Sequence, residues 1–208
     1  MSVDSLLKSG IASLNIDLDD VQQQALLHYH NLFQKWNRTY NLSAIRDPLD
    51  SVRLHLLDSL SIAPFLSGVC FADVGTGGGL PGIPLAICFP ERQFTLIDSA
   101  GKKTRFLTQV KQELSLENVD VQNLRVEHWQ PEPKLDGVIS RAFASLKDMT
   151  HCCAHLLAPN GAFYAMKGQL PSDELSQTEK HYIVAETHQL SVPGVDAERC
   201  LLILRERV

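Results

Sequence analysis

A glycine-rich segment between Phe71 and Gly82, FADVGTGGGLPG, has the composition best suited to bind a small ligand. An apolar run ends at Asp73, and five glycines then fall within the eight residues that begin at Gly75. Glycine adopts positive φ without strain and lets another group lie against the bare main chain. Glycines concentrated between a strand and a helix therefore predict a loop that holds a cofactor rather than an ordinary turn.

The spacing of these glycines is compatible with two cofactors. Gly77, Gly79 and Gly82 fit the G-x-G-x-x-G pattern of dinucleotide-binding proteins, and Asp98 ends the next strand, where it could bind a ribose hydroxyl. Read from Asp73, the loop is also acid-x-Gly-x-Gly-x-Gly, which resembles the first motif of S-adenosylmethionine (SAM) methyltransferases. A carboxylate beside the loop attracts the cationic methionine end of SAM but repels a pyrophosphate. Electrostatics favour SAM, and a nicotinamide-binding oxidoreductase stays open as the alternative.

Composition and charge are those of an ordinary globular protein of 208 residues, with 44% hydrophobic and 21% charged residues. No apolar run is long enough for a membrane span and the first residues lack a signal-peptide core, so we expect a cytoplasmic protein. The five cysteines lack C-x-x-C spacing, which predicts reduced, mostly buried thiols.

The net charge of −5 gives no domain-wide basic field that would indicate a nucleic-acid partner. Basic residues are nevertheless grouped in two segments. The first contains Lys35, Arg38, Arg46 and Arg53, and the second contains Lys102, Lys103, Arg105 and Lys111. Each group taken alone is equally compatible with a solvated helix face.

The elements that must position the loop divide into a helical region, 1–66, and an alternating region, 67–208. We expect a helix capped by Asp19 or Asp20 and a second helix that starts at Asp47-Pro48. The predicted apolar face of the first helix comprises Val21, Ala25, Leu32, Phe33 and Trp36. We interpret 1–66 as an N-terminal cap and 67–208 as one compact cofactor-binding core.

From Phe71 onward, strand-like and helix-like patterns alternate, which predicts an α/β fold with a mostly parallel sheet. The sequence Pro159-Asn160-Gly161 predicts a break before the fifth strand, AFYAMKG. The last two apolar runs are joined by a polar loop without a helix, so they should pair antiparallel. A parallel sheet with an antiparallel C-terminal strand resembles the Rossmann-like fold of SAM methyltransferases.

Several segments resemble one family in particular. They are KWNRTYNLSAIRDP, HLLDSL, VGTGGGLPGIPLA, LIDSAGKKTRFL, RVEHW, DGVISRAFASL and YAMKGQ. Together they resemble the glucose-inhibited division protein B family, whose members transfer a methyl group from SAM to nitrogen-7 of a guanine in small-subunit (16S) ribosomal RNA. The resemblance covers nearly the whole chain.

The resemblance implies roles for residues that follow the carboxyl ends of the predicted strands. Gly75 and Leu80 would line the methionine end of SAM, Asp98 and Ser99 the ribose, and Val126 and Glu127 the adenine. Arg141 would lie where cofactor and substrate meet. The complete predicted cofactor set is Asp73, Gly75, Gly77, Gly79, Leu80, Asp98, Ser99, Val126, Glu127 and Arg141. Open α/β sheets bind ligands at these strand ends, which agrees with these positions.

Methyl transfer to guanine nitrogen-7 needs no general base, because that nitrogen carries a free lone pair. The catalytic candidates are therefore Arg141 and Lys167, which could donate hydrogen bonds to the neighbouring carbonyl oxygen. The predicted RNA-binding residues are Arg125, Lys102 and Lys103. Arg141 could instead be a structural ion-pair partner, and Lys167 a plain surface lysine.

The expected partner is small-subunit ribosomal RNA within an assembled or partly assembled subunit, bound by a monomer without membrane contact. His151 and His155 have a spacing that zinc could use, but no further ligand cluster lies nearby in sequence, so we expect no metal. A methyltransferase acting on a small molecule or a protein is the second hypothesis. His55 and Asp58 are three residues apart on one helix, and packing is the favoured interpretation of this pair.

Overall fold

The computed structural model describes residues 1–143, 145–169 and 181–207. The N-terminal region is helical, as predicted. Its elements are α1 (Val3–Ser13), α2 (Asp20–Tyr40), α3 (Pro48–Ser51), a π-helical segment (Val52–Leu57), α4 (Asp58–Leu60) and a 3-10 turn (Ala63–Phe65). Helix α3, the π-helical segment and α4 follow one another without a break. Together they form the helix predicted to start at Asp47-Pro48, and its middle turns have the wider π-helical geometry.

Helix α2 starts as its sequence predicts. The Asp19 carboxylate accepts a hydrogen bond from the Gln22 backbone N–H at 2.8 Å, and the Gln22 side chain accepts one from the Asp19 N–H at 3.0 Å. This reciprocal capping satisfies two N–H groups at the helix start. The predicted position of Val21 on the apolar face is wrong. Val21 is 77% exposed because it lies in the first turn, at the edge of the stripe that Tyr29 and Phe33 bury.

A seven-stranded sheet forms the centre of the molecule. Its strands are β1 (Cys70–Val74), β2 (Gln93–Ile97), β3 (Val119–Gln122), β4 (Leu135–Ser140), β5 (Leu157–Lys167), β6 (Tyr182–Gln189) and β7 (Cys200–Glu206). They are ordered β3-β2-β1-β4-β5-β7-β6. The first five run parallel, and β7 pairs antiparallel with both β5 and β6. The predicted α/β architecture with antiparallel C-terminal strands is therefore present.

The start of β5 differs from the prediction. Pro159-Asn160-Gly161 does not precede the strand but lies inside it, as an irregularity in its pairing with β4. Leu135 pairs with Leu157 and Gly137 pairs with Ala162, so several residues of β5 oppose two of β4. Asn160 takes up the extra length with a left-handed φ of 68°. Turn-forming residues can thus bulge a strand without ending it.

Helices cover both faces of the sheet. Helices α5 (Gly82–Cys88) and α6 (Gly101–Glu113) pack on one face, and α7 (Leu146–Cys153) packs on the other. The N-terminal helices share the core of the first face, where Leu26 and Phe33 are buried in the same cluster as Phe94. The division at residue 66 stays a prediction, because this core continues from the helices into the sheet. No helix in the described ranges is long and apolar enough to cross a membrane.

Candidate active site

The glycine loop follows β1 and leads into α5, and its backbone explains its composition. Gly75, Gly77 and Gly79 have φ values of 72°, 62° and 91°, which side chains larger than glycine rarely adopt. A Cβ atom added at Gly77 would meet nothing within 4 Å, so the main chain there faces open space. A ligand can therefore approach this part of the loop directly.

Asp73 lies beneath the loop rather than at its surface. Its carboxylate is fully buried and accepts hydrogen bonds from Thr76 Oγ1 at 2.7 Å and from the Gly82 N–H at 2.8 Å. The two donors lie at opposite ends of the glycine segment, so Asp73 fixes the path of the loop. Its predicted contact with a cofactor stays a prediction.

Replacing Asp73 with asparagine is expected to remove a pH-dependent part of folding stability. Burial raises the pKa of Asp73 from 3.8 to about 6, so between these values the folded chain keeps a proton that the unfolded chain releases. The contribution of Asp73 to the free energy of unfolding should therefore fall by about 3 kcal/mol as the pH rises through this range. Urea unfolding from about pH 4 to about pH 7 measures the difference between the two proteins, which should shift by this amount in favour of the variant. A difference that does not change with pH would contradict the buried-carboxylate interpretation.

Asp98 follows β2 and is oriented by its neighbours. Its Oδ2 accepts hydrogen bonds from the Gly77 N–H at 3.0 Å and from Lys103 Nζ at 3.2 Å. Its Oδ1 accepts one from the Ala100 N–H at 2.9 Å. The carboxylate therefore links the glycine loop to the start of α6. Lys103, predicted to contact RNA, is partnered here with Asp98.

A cleft of about 320 Å³ opens at the carboxyl ends of β1, β2 and β4, and we call it the strand-end cleft. Its lining residues are Val74, Gly75, Ile97, Asp98, Ser99, Lys103, Leu124, Arg125, Val126, Glu127 and Ala142. Of the predicted cofactor residues, the cleft brings together Gly75, Asp98, Ser99, Val126 and Glu127. The others, Asp73, Gly77, Gly79, Leu80 and Arg141, do not line it.

A second cleft, of about 410 Å³, contains both predicted catalytic residues, and we call it the arginine cleft. Its lining residues are Ile45, Leu54, His55, Asp58, Arg141, Met166, Lys167, Gly168, Leu190, Arg199 and Cys200. The buried Asp58 carboxylate pairs with two guanidinium groups, that of Arg141 at 2.8 Å and that of Arg199 at 3.0 Å. Two guanidinium groups thus flank one buried carboxylate, and Lys167 lines the same cleft.

Asp58 and Arg199 are site residues that sequence reasoning did not identify. Asp58 was considered only together with His55, and Arg199 not at all. They are 141 positions apart in the chain, so no local spacing connects them. The nearest signal was the HLLDSL segment, whose π-helical turns end at Asp58; π-helical turns occur often at functional sites.

The two clefts meet at consecutive residues after β4. Arg141 lines the arginine cleft, and Ala142 lines the strand-end cleft. Ala142 also packs against the glycine loop, since a Cβ atom added at Gly75 would lie 2.5 Å from the Cβ atom of Ala142. Groups bound in the two clefts would therefore be separated by little more than the backbone of these two residues.

His55 is buried and hydrogen-bonded, and the packing role favoured from the sequence stays a prediction. Its Nδ1 lies 3.1 Å from the Leu54 carbonyl, which can only accept, so Nδ1 carries the proton and Nε2 accepts from Ser43 Oγ at 2.9 Å. Burial first, and the nearby Arg141 second, lower the pKa of His55 from 6.5 to about 4, so the ring is neutral at physiological pH. Nε2 thus holds the loop after α2 at Ser43, while Nδ1 bonds within the π-helical segment.

A family model described as GidB, rRNA small subunit methyltransferase G, matches residues 22–203, a range that includes both clefts. The chain belongs to this family. A relative from Saccharophagus degradans named ribosomal RNA small subunit methyltransferase G is 60% identical over 198 residues, covering 95% of this chain and 89% of the relative. One of the same name from Escherichia fergusonii is 50% identical over 199 residues, covering 96% of each. The resemblance noted from the sequence is confirmed.

Solved structures support the methyltransferase fold of the family. A SAM-dependent methyltransferase from Geobacter sulfurreducens, in complex with S-adenosyl-L-homocysteine, has a TM-score of 0.56 and 13% identity, covering 85% of this chain and 98% of that one. One from Thiobacillus denitrificans has a TM-score of 0.53 with the same identity and coverage. At this identity the likeness concerns the fold alone, and it confirms the predicted Rossmann-like class.

Within 1–143, 145–169 and 181–207, no three His, Cys, Asp or Glu side chains form a group that could hold a metal ion. All five cysteines are free. Burial raises the pKa of Cys88 to about 11 and that of Cys153 further above its usual value, which disfavours the thiolates.

Proposed function

We propose that this protein transfers the methyl group of SAM to nitrogen-7 of one guanine in small-subunit ribosomal RNA. Membership of the rRNA small subunit methyltransferase G family supports the reaction class, and the names of its relatives support the RNA substrate. The observation that carries the proposal is the meeting of the strand-end cleft and the arginine cleft at Arg141 and Ala142. One cleft suits a nucleoside cofactor, and the other suits an electron-rich base.

The strand-end cleft has the groups that the nucleoside part of SAM requires. Asp98 presents a fixed carboxylate that can accept hydrogen bonds from the two ribose hydroxyls, with Ser99 beside it. The half-buried Leu124 and the buried Val126 offer an apolar surface to the adenine. The open main chain at Gly77 leaves room for the methionine end. SAM supplies the electrophilic methyl group and its own leaving group.

The arginine cleft suits the acceptor base because the lone pair on guanine nitrogen-7 is already available. The protein must hold the base in line and stabilise charge, and it need not remove a proton. Arg141, which directly follows β4 at the boundary with the strand-end cleft, would donate a hydrogen bond to the adjacent carbonyl oxygen of guanine. Lys167, at the end of β5, contacts the Phe143 carbonyl at 3.2 Å and adds positive charge.

Access to nitrogen-7 restricts the RNA that can react. The deep major groove of A-form RNA hides this atom, so the target guanine should be unpaired or flipped out. A protein with a net charge of −5 should depend on the shape of its substrate more than on general attraction to phosphates. We propose an assembled or partly assembled subunit as the substrate, bound in the cytoplasm by a monomer. Arg125, at the strand-end cleft, and Lys102 are the proposed phosphate contacts.

Methylation of small ribosomal subunits from a strain that lacks this gene tests the proposal directly. Purified protein and methyl-labelled SAM are added, and 7-methylguanine is located by reduction and strand cleavage. A single labelled guanine is the expected result. Label on a protein or small molecule but not on RNA would indicate another acceptor, and calorimetry that shows binding of NAD but not SAM would reject the methyltransferase interpretation.

A further inference from the structure

The end of α2 presents an aromatic pair to solvent. The rings of Trp36 and Tyr40 lie 4.8 Å apart between centroids at an angle of 31°. Tyr40 is 39% exposed, and it is the one exposed aromatic side chain in the described part of the chain. The exposed ring therefore packs against a second aromatic ring that is half-buried.

The pair is held rigidly. Trp36 also packs on Phe106 of α6, with ring centroids 5.4 Å apart. Below Tyr40 the chain leaves α2 through Asn41, which takes a left-handed conformation, and Arg46 donates to the Asn37 carbonyl and to the Asn41 side chain. The platform of two rings is therefore fixed before any partner binds, which reduces the entropy lost on binding.

The packing of α2 on α6 brings together the two basic segments of the sequence. His28 near the start of α2 contacts Glu113 at the end of α6, and Trp36 contacts Phe106 further back along α6. The helices therefore run antiparallel, and this register directs Tyr40 toward the start of α6. Lys102 and Lys103 lie at that end of α6, and Lys103 lines the strand-end cleft.

Basic side chains are exposed on both helices. Lys102 and Arg105 are exposed on α6, and Lys35 is exposed on α2, one position before Trp36. Each basic group alone is compatible with an ordinary solvated helix, but the antiparallel packing of α2 on α6 brings members of both groups toward the end of α2 that carries Tyr40. Aromatic side chains between cationic ones are the usual surface for single-stranded nucleic acid, with rings stacking on bases and cations contacting phosphates.

We propose that Trp36 and Tyr40 form a stacking platform for one unpaired base of the RNA substrate, next to the mouth of the strand-end cleft. The proposal rests on the proposed function, because it assigns the occupant to the same RNA that carries the target guanine. Lys102 and Arg105 contact the phosphates on either side of the stacked base. The platform holds the strand while the target base enters the arginine cleft.

Three substitutions at Tyr40 test the platform with small subunits as the substrate. Tyr40→Ala should raise the KM for subunits about tenfold, which corresponds to the loss of one base–aromatic stack, with kcat and SAM affinity unchanged. Tyr40→Phe keeps the ring and should behave as the wild type. Tyr40→Leu keeps apolar bulk without a ring and should be as impaired as Tyr40→Ala.

A matched control is Ile183→Ala, which shortens another exposed apolar side chain, on β6, and should leave the KM unchanged. An unchanged KM in Tyr40→Ala would overturn the proposal. Recovery by Tyr40→Leu would also overturn it, because it would indicate packing rather than stacking. If the wild-type protein labels no RNA at all, the proposed function itself fails and the platform with it, a result distinct from either of these.

Discussion

Replacing Asp98 with alanine is expected to lower the affinity for SAM about a hundredfold. The substitution removes the acceptor for the ribose hydroxyls, and two hydrogen bonds to a charged group are together worth about 3 kcal/mol. It also leaves the Gly77 N–H without its partner at 3.0 Å, so the loop that borders the cofactor loosens. Isothermal titration calorimetry with SAM measures the effect.

Two further variants make the Asp98 result specific. Asp98→Asn keeps an acceptor for Gly77 but loses the charge that faces Lys103, so its affinity should be intermediate. Asp120→Ala removes an exposed carboxylate on the neighbouring β3, where it accepts a hydrogen bond from the Gln122 side chain, and it should bind SAM normally. An Asp98→Ala protein that folds and binds SAM like the wild type would reject the ribose assignment.

The strand-end cleft could be predicted from sequence because local rules place its residues. Asp98 and Ser99 directly follow β2, and the glycine loop directly follows β1. In a parallel sheet, adjacent strands bring such positions to the same edge. The sequence could not say which way Asp73 points, because a carboxylate at a strand end can face a ligand or its own loop. In the structure, Oδ2 of Asp73 accepts hydrogen bonds from Thr76 and Gly82 of its own loop.

The arginine cleft could be predicted only in part because distant segments build it. Arg141 directly follows β4 and Lys167 ends the neighbouring β5, so both follow the same local rule. Asp58 enters from the N-terminal helices, and Arg199 enters from the turn before β7. No periodicity or spacing links these two residues, and only the docking of the helices on the sheet brings them within 3.0 Å. Long-range ion pairs of this kind leave no pattern in a single sequence.

Replacing Arg141 with alanine is expected to lower kcat/KM for small subunits about a thousandfold. Removing one donor aimed at the developing charge typically reduces the rate by this order. SAM affinity should change only a few-fold, since Asp98 and the glycine loop are untouched. Arg141→Lys should recover part of the activity, because lysine restores the charge but not the planar fork of donors. Arg205→Ala, which shortens an exposed arginine on β7, is the matched control and should be fully active.

A purely structural role for Arg141 predicts a different pattern, which a double variant reveals. Arg141→Ala leaves the buried Asp58 carboxylate with Arg199 as its remaining ion-pair partner among the described residues, and an undercompensated buried charge is destabilising. Adding Asp58→Asn removes that charge and should recover folding stability in urea. If methylation returns together with stability, Arg141 acts only by neutralising Asp58. If stability returns while methylation stays about a thousandfold below that of the wild type, the guanidinium acts on the substrate. The lost ion pair with Asp58 then explains the loss of stability but not the loss of methylation.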